Sequence, residues 1–120
     1  MNLIADHKFE IDETVVYLKL YKLHKSFLLL ISDQKDMGIG NVTLGSPPII
    51  EGIKSPTASY NLFGMESRLL STIIAEIVSK KLDAPVLLLS FLKNRQKEED
   101  IIKPLVDVLN EILDEIQNDS

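Results

Sequence analysis

The spacing of apolar residues changes near residue 65, and this change restricts the chain to folds in which strands come first and helices follow. Before this point apolar residues alternate with polar ones or form short runs of strand length. From Met65 they recur at helical spacing, which predicts an amphipathic helix with Lys80 and Lys81 in its last turn. A second amphipathic helix is predicted from an N-cap at about Asp100 to the C-terminal end, with Pro104 in its first turn.

The remaining apolar segments have the length and the β-branched or aromatic content of strands. They are Glu13–Tyr21, Ser26–Ser32, Ile39–Leu44, Thr57–Phe63 and Val86–Leu92. Ser46–Pro56 contains three prolines and a glycine, which excludes a helix and allows a loop or an edge strand. The resulting order, ββββαβα, predicts an α+β fold in which two helices cover one face of an antiparallel sheet. A chain of 120 residues is long enough for one hydrophobic core, so we expect residues 1–120 to form a single domain.

The stripes of the two helices and one face of the first predicted strand define an expected core. Its members are Val16, Leu18, Leu20, Leu69, Leu70, Ile73, Ile77, Leu105, Leu109, Ile112 and Leu113.

Two of the predicted strands are apolar on both faces. Phe27 to Ile31 and Val86 to Leu89 place apolar side chains on either side of the sheet, whereas two helices can cover only one side. We therefore expect a partner sheet to cover the other face, with folding back of Ser46–Pro56 as the alternative. The residues predicted to contact a partner are Val15, Tyr17, Tyr21, Phe27, Leu29, Ile31, Lys93 and Arg95. Lys93 and Arg95 lie in a charged loop that either docks an acidic surface or keeps the loop soluble.

The sequence offers no pattern typical of catalysis or of cofactor binding. There is no cysteine, and His7 and His24 lack the spacing of a metal site or of a nucleophile–base pair. Gly38-Ile39-Gly40 lacks the third glycine and the following helix of a phosphate-binding loop. We therefore expect no enzymatic activity, no metal and no cofactor.

Charge and hydropathy also limit the classes of partner. The net charge is −5, and the segment from residue 93 to 120 alone contributes −4, so the chain lacks the basic stripe of a nucleic-acid binder. No secretory signal or membrane-spanning run is evident, and the absence of cysteine suits a reducing compartment. We expect a cytoplasmic protein that can also be nuclear, with neither nucleic acid nor membrane as partner.

Several stretches, in this order, resemble the fourth proteasome assembly chaperone family. They are His7-Lys8-Phe9, Leu23–Ile31, Ile39–Leu44, Ser59–Phe63 and, above all, Glu66–Leu92. The resemblance implies a heterodimer with a related chaperone of the third type, with the two sheets packed together and the helices outside. It also implies a role in early assembly of the α-ring of the 20S proteasome by binding of α-subunits.

Two other classes remain open. A small dimeric adaptor of the longin or roadblock kind is also α+β, but the order of its elements differs from ββββαβα. An enzyme or small-ligand domain would need a concave site with convergent polar groups, such as Tyr17, His24 or Tyr60 beside a carboxylate.

Overall fold

Six strands and two helices make up the fold in a computed structural model, which describes residues 1–47, 57–61, 68–93 and 98–118. The strands are β1 (Asn2–Ile11), β2 (Thr14–Leu23), β3 (Ser26–Ser32), β4 (Asn41–Gly45), β5 (Thr57–Asn61) and β6 (Val86–Phe91). The helices are α1 (Arg68–Leu82) and α2 (Glu98–Asn118). None of the helices in these ranges is long and apolar enough to cross a membrane.

The strands form one sheet in the order β1-β2-β3-β6-β4-β5. Every neighbouring pair is antiparallel except β3 and β6, which run parallel. The predicted α+β class and its two helices are confirmed, but the sheet is mixed, and β1 adds a strand before the predicted four. The parallel pair arises because β4, β5 and α1 together form the long connection that parallel strands need.

Parts of the predicted elements lie outside the described residues. These parts are residues 48–56 of the predicted loop, residues 62 and 63 of the fourth predicted strand, and residues 65–67 of the first predicted helix.

Two tight hairpins set the register of the first three strands. Ile11 pairs with Thr14 and Leu23 pairs with Ser26, so each loop has two residues. In the first loop Asp12 and Glu13 have φ of 47° and 67°, as a type I′ turn requires, and in the second Lys25 has φ of 55°.

Residues that tolerate positive φ in the first hairpin loop should make the domain more stable. Replacing Asp12 by Asn and Glu13 by Gly should raise the free energy of unfolding by about 1 kcal/mol, because Asn-Gly is the preferred type I′ pair. Chemical denaturation monitored by circular dichroism measures this change. As a control, Glu10→Gly within β1 should lower the same quantity by roughly 0.5–1 kcal/mol, because glycine is unfavourable inside a strand. A lower stability of the Asn-Gly variant would contradict the turn type.

Both helices lie on one face of the sheet and enclose the core there. Its largest fully buried side chains come from β2, β3, β6 and both helices: Leu18, Leu20, Leu29, Ile31, Leu70, Ile74, Leu88, Leu105, Leu109, Leu113, Val16 and Val78. Eight of the eleven predicted core residues are buried: Val16, Leu18, Leu20, Leu70, Leu105, Leu109, Ile112 and Leu113.

The buried face of α1 differs in part from the core residues predicted on this helix. Leu69 is 57% exposed and Ile73 and Ile77 are only partly buried, whereas Ile74 and Val78 are fully buried. The buried stripe also includes Ser71, which a purely apolar pattern cannot find, and its hydroxyl lies 2.9 Å from the hydroxyl of Ser90 in β6. This hydrogen bond removes the penalty for burying both groups.

Close packing of α1 on the sheet depends on a glycine in β4. A Cβ atom at Gly45 would lie 2.7 Å from the carbonyl oxygen of Ala75 in α1. Only glycine therefore allows this approach of the helix backbone to the strand.

The start of α2 differs from the prediction. The helix begins at Glu98, so Asp100 lies inside it instead of capping it, and Pro104 lies beyond the first turn. Because proline has no N–H group, the carbonyl of Asp100 receives no intrahelical hydrogen bond from position 104.

Candidate protein-interaction face

Cross-strand pairing determines which side chains point away from the helices. Leu18 pairs with Ile31 and Leu20 pairs with Leu29, and all four are buried beneath the helices. Residues between them alternate to the opposite side, because successive side chains of a strand point to opposite faces.

The opposite side of the four inner strands is mostly apolar. We call this side the outer face, and its apolar residues include Val15, Tyr17, Tyr21, Leu28, Leu30, Val42, Leu44, Leu87, Leu89 and Phe91. Leu44 and Leu87 pair with each other across β4 and β6 and are 46% and 36% exposed. In the part of the chain that the structure describes, both helices lie on the other side of the sheet.

Such a face is unusual for a sheet that meets water on one side. Antiparallel sheets in that position normally carry polar residues outward, and large exposed apolar patches on soluble proteins commonly mark interaction sites. The leucines of β3 and β6 lie at the centre of the outer face, where a partner would exclude water most completely. This arrangement therefore favours association with another apolar surface.

Charged residues border the outer face on the side of β1. Asp6, Lys8 and Glu10 are exposed and alternate with residues that face the helices, among them Phe9 and the buried Ile11. The ammonium nitrogen of Lys8 lies 5.8 Å from the centre of the Tyr17 ring, within the range of a cation–π interaction. An apolar centre with a polar rim is the usual anatomy of a protein–protein interface.

Three of the residues predicted to contact a partner lie on this face. Val15, Tyr17 and Tyr21 are half-buried and point away from the helices, opposite to the buried Val16 and Leu18. Their contact with a partner remains a prediction.

Three others were assigned to the wrong face. Leu29 and Ile31 are 0% and 1% exposed in the core beneath the helices, and Phe27 packs against that core. In β3 it is Leu28 and Leu30 that point outward. The prediction treated β3 without its pairing to β2, although residues directly opposite each other share a face.

The sequence analysis also missed the outward residues of β4 and β6: Val42, Leu44, Leu87, Leu89 and Phe91. A signal for β3 was present, because the two-residue loop His24-Lys25 pairs Leu23 with Ser26 and so fixes the register of β2 and β3. For β4 and β6 no comparable local signal exists.

A hydrogen-bonded junction joins the ends of β3 and β6. The Asp33 backbone N–H donates to the carbonyl oxygen of Phe91 at 3.2 Å, and one carboxylate oxygen of Asp33 accepts from the backbone N–H of Lys93 at 2.9 Å. The junction fixes the point at which the chain leaves β6, and Lys93 is exposed there. Arg95, the other basic residue predicted to contact a partner, lies outside the described residues.

The described side chains offer no grouping for metal chemistry. Within the described ranges, no set of three or more His, Cys, Asp or Glu residues could hold a metal ion. The polar contacts that stand out, at Ser71 with Ser90 and at Asp33, join neighbouring elements of the fold. Among the described residues, the outer face is therefore the candidate functional surface.

Comparison with known proteins finds similarity among solved structures. The sequence matches no family model and no curated protein. Among solved structures, the chain is similar to a chain of the "Crystal Structure of a Novel Chaperone Complex for Yeast 20S Proteasome Assembly". The TM-score is 0.57, the match covers 94% of this chain and 99% of that chain, and the sequence identity is 13%. At that identity the two chains share a fold.

Proposed function

We propose that this chain is a chaperone for 20S proteasome assembly that acts as a heterodimer with a related small chaperone and promotes early α-ring formation by binding α-subunits. The observation that carries the proposal is the apolar outer face, on a fold shared with a chain of a yeast proteasome assembly chaperone complex. The sequence resemblance to the fourth proteasome assembly chaperone family supports it independently of the coordinates.

The partner occupies the outer face by packing its own sheet against it. Two sheets packed face to face bury the alternate side chains of both inner faces in a layer about 10 Å thick. The leucines of β3, β6 and β4 provide the apolar centre of that layer, and both helices remain on the outside of the heterodimer, where they are available to α-subunits.

The mechanism requires binding and no chemical turnover. A heterodimer that binds an α-ring intermediate lowers its free energy relative to dissociated subunits, by an amount that grows with the concentration of the chaperone. Release follows when later subunits compete for the same surface. We propose that this takes place in the cytoplasm and in the nucleus without a metal or a cofactor, and that exposed Lys93 and the neighbouring Arg95 contribute to docking.

Affinity purification of the tagged chain from its native cells, at low salt and followed by mass spectrometry, tests the proposal. We expect one partner of similar size together with 20S α-subunits and little mature proteasome. Recovery of trafficking or signalling proteins instead would replace the proposal by the adaptor alternative. Recovery of α-subunits without the small partner would contradict the heterodimer.

A further inference from the structure

Outward residues of five strands line up in one unbroken apolar row near one end of the outer face. Strand pairing aligns them directly, and paired residues share a face. From β1 through β2, β3 and β6 to β4 they are Leu3, Tyr21, Leu28, Leu87 and Leu44, and we call them the leucine row. Four steps between neighbouring strands make the row about 19 Å long. None of its residues is charged.

A bulge in β1 places Leu3 on the outer face. The register shifts between Leu3 and Ala5, so that the adjacent residues Ile4 and Ala5 both pack against the core beneath the helices. Leu3 pairs with Tyr21 and is 47% exposed. Leu44 and Leu87, in the other half of the row, are also exposed. The most exposed apolar residues of the outer face therefore lie in the leucine row.

The connection between β3 and β4 covers the opposite end of the outer face. Because β6 lies between these two strands, residues 33–40, which we call the crossing loop, must pass the end of β6. The Asp33 N–H donates to the carbonyl oxygen of Phe91 at 3.2 Å, and the Gly40 N–H donates to that of Ser90 at 3.0 Å. Between these two bonds, Gly38 lies on the outward ring of Phe91, where a Cβ atom would be 2.8 Å from the ring.

The burial of Ser32 shows the same coverage. Ser32 pairs with Tyr17 and follows Ile31, which faces the helices, so its side chain points to the outer face. It is nevertheless 0% exposed, and its hydroxyl accepts a hydrogen bond from the Gln34 N–H of the crossing loop at 3.0 Å. Packed sheets lie about 10 Å apart, and the crossing loop occupies part of that gap. A partner sheet therefore cannot lie flat over this end.

Charged residues limit the apolar surface between the leucine row and the covered end. Asp6 and Lys19 pair directly in the next row along β1 and β2, and Lys8 lies over the ring of Tyr17 in the row after that. Burying these groups in an interface would remove water from them. The leucine row carries no such cost along its length.

We infer that the small partner's sheet packs on the outer face displaced toward the leucine row, which it covers with a matching band of apolar side chains, and that the end beside the crossing loop stays outside the contact. This inference rests on the proposed function and locates its interface. Contact between two uncharged rows is favourable because apolar surface leaves water on both sides and no charge is desolvated.

Tyr21 and Tyr17 provide a matched pair of variants. Both are half-buried outward residues of β2, and each lies two positions from Lys19. Tyr21→Glu should weaken binding of the small partner purified from native cells by about a hundredfold, because the carboxylate would be buried in the apolar layer. Tyr17→Glu should weaken it by less than about threefold, because that position stays at the wet rim. Isothermal titration measures both affinities, and circular dichroism verifies that each variant is folded.

Leu3 and Ile39 provide a second pair, which keeps the test decisive if a tyrosine variant does not fold. Both are 47% exposed, so lysine at either position leaves the core intact. Leu3→Lys, in the leucine row, should weaken partner binding about tenfold. Ile39→Lys, in the crossing loop, should leave the affinity unchanged.

Equal losses within each pair, or larger losses at Tyr17 and Ile39, would overturn the inference and leave the proposed function intact, provided that the unmodified chain still recovers the partner and α-subunits. Unchanged partner affinity of Tyr21→Glu, together with loss of self-association in sedimentation velocity, would assign the leucine row to a second copy and would also overturn the inference. If the unmodified chain recovers no small partner at all, the inference and the proposed function both fail.

Discussion

Replacing Ile74 by Asp should unfold the domain. Ile74 is 1% exposed in the stripe of α1 that packs on the sheet. A carboxylate there would lose its hydration without a counter-charge, at a cost of about 5 kcal/mol or more, which is comparable to the whole free energy of unfolding of a small domain. Thermal unfolding monitored by far-ultraviolet circular dichroism should show no cooperative transition for this variant.

Leu69→Asp is the matched control, because it makes the same kind of change on the same helix. Leu69 is 57% exposed in the first turn of α1, where a carboxylate is favoured by the helix dipole. Its melting temperature should stay within a few degrees of that of the unmodified chain. If Ile74→Asp is recovered only as aggregate, Ile74→Ala should still lower the free energy of unfolding by about 2–5 kcal/mol. A folded Ile74→Asp variant together with an unfolded Leu69→Asp variant would show that the other side of α1 faces the sheet.

Replacing Leu44 by Lys and Leu87 by Glu should abolish binding of the partner while the domain stays folded. The two leucines are partly exposed and directly opposite each other, so the new charges attract across the strands and spare the stability of the free chain. In the heterodimer the same charges would be buried against an apolar sheet. We expect a loss of affinity on the order of a thousandfold, measured by isothermal titration with the partner purified from native cells.

The control for this variant is Leu69→Lys, which changes an exposed leucine on the helix side. It should bind the partner with unchanged affinity, because the helices lie on the outside of the proposed heterodimer. Retained affinity in the Leu44→Lys, Leu87→Glu variant, with an unchanged circular dichroism spectrum, would exclude the outer face as the interface.

The class of fold was predictable because its signals are local. Apolar spacing alone distinguishes α1 and α2 from the strands. Even so, β1 was missed. Its polar residues Asp6, Lys8 and Glu10 alternate with His7, Phe9 and Ile11, which is the pattern of an edge strand with one wet face, and it lacks the long apolar run of β3.

The pairing of β3 with β6 could not be predicted from local patterns. These strands are separated by β4, β5 and α1, and nothing in either segment specifies a parallel neighbour. Both strands are apolar on both faces, so alternation could not specify which side of each faces the helices. An apolar sheet face was therefore predictable. Val15, Tyr17 and Tyr21 do lie on the outer face, where their contact with a partner stays a prediction, whereas Phe27, Leu29 and Ile31 lie on the helix side.

The central claim, that a partner's sheet covers the outer face, is tested most directly by labelling single thiols in the purified complex of this chain with its small partner. The chain has no cysteine, so Leu44→Cys places one thiol on the outer face and Glu111→Cys places one on the exposed side of α2. In the complex, maleimide should react with L44C at least about tenfold more slowly than in the free chain, because a buried thiol is inaccessible, while E111C reacts equally fast in both. Equal rates for L44C in the free chain and in the complex would contradict the account.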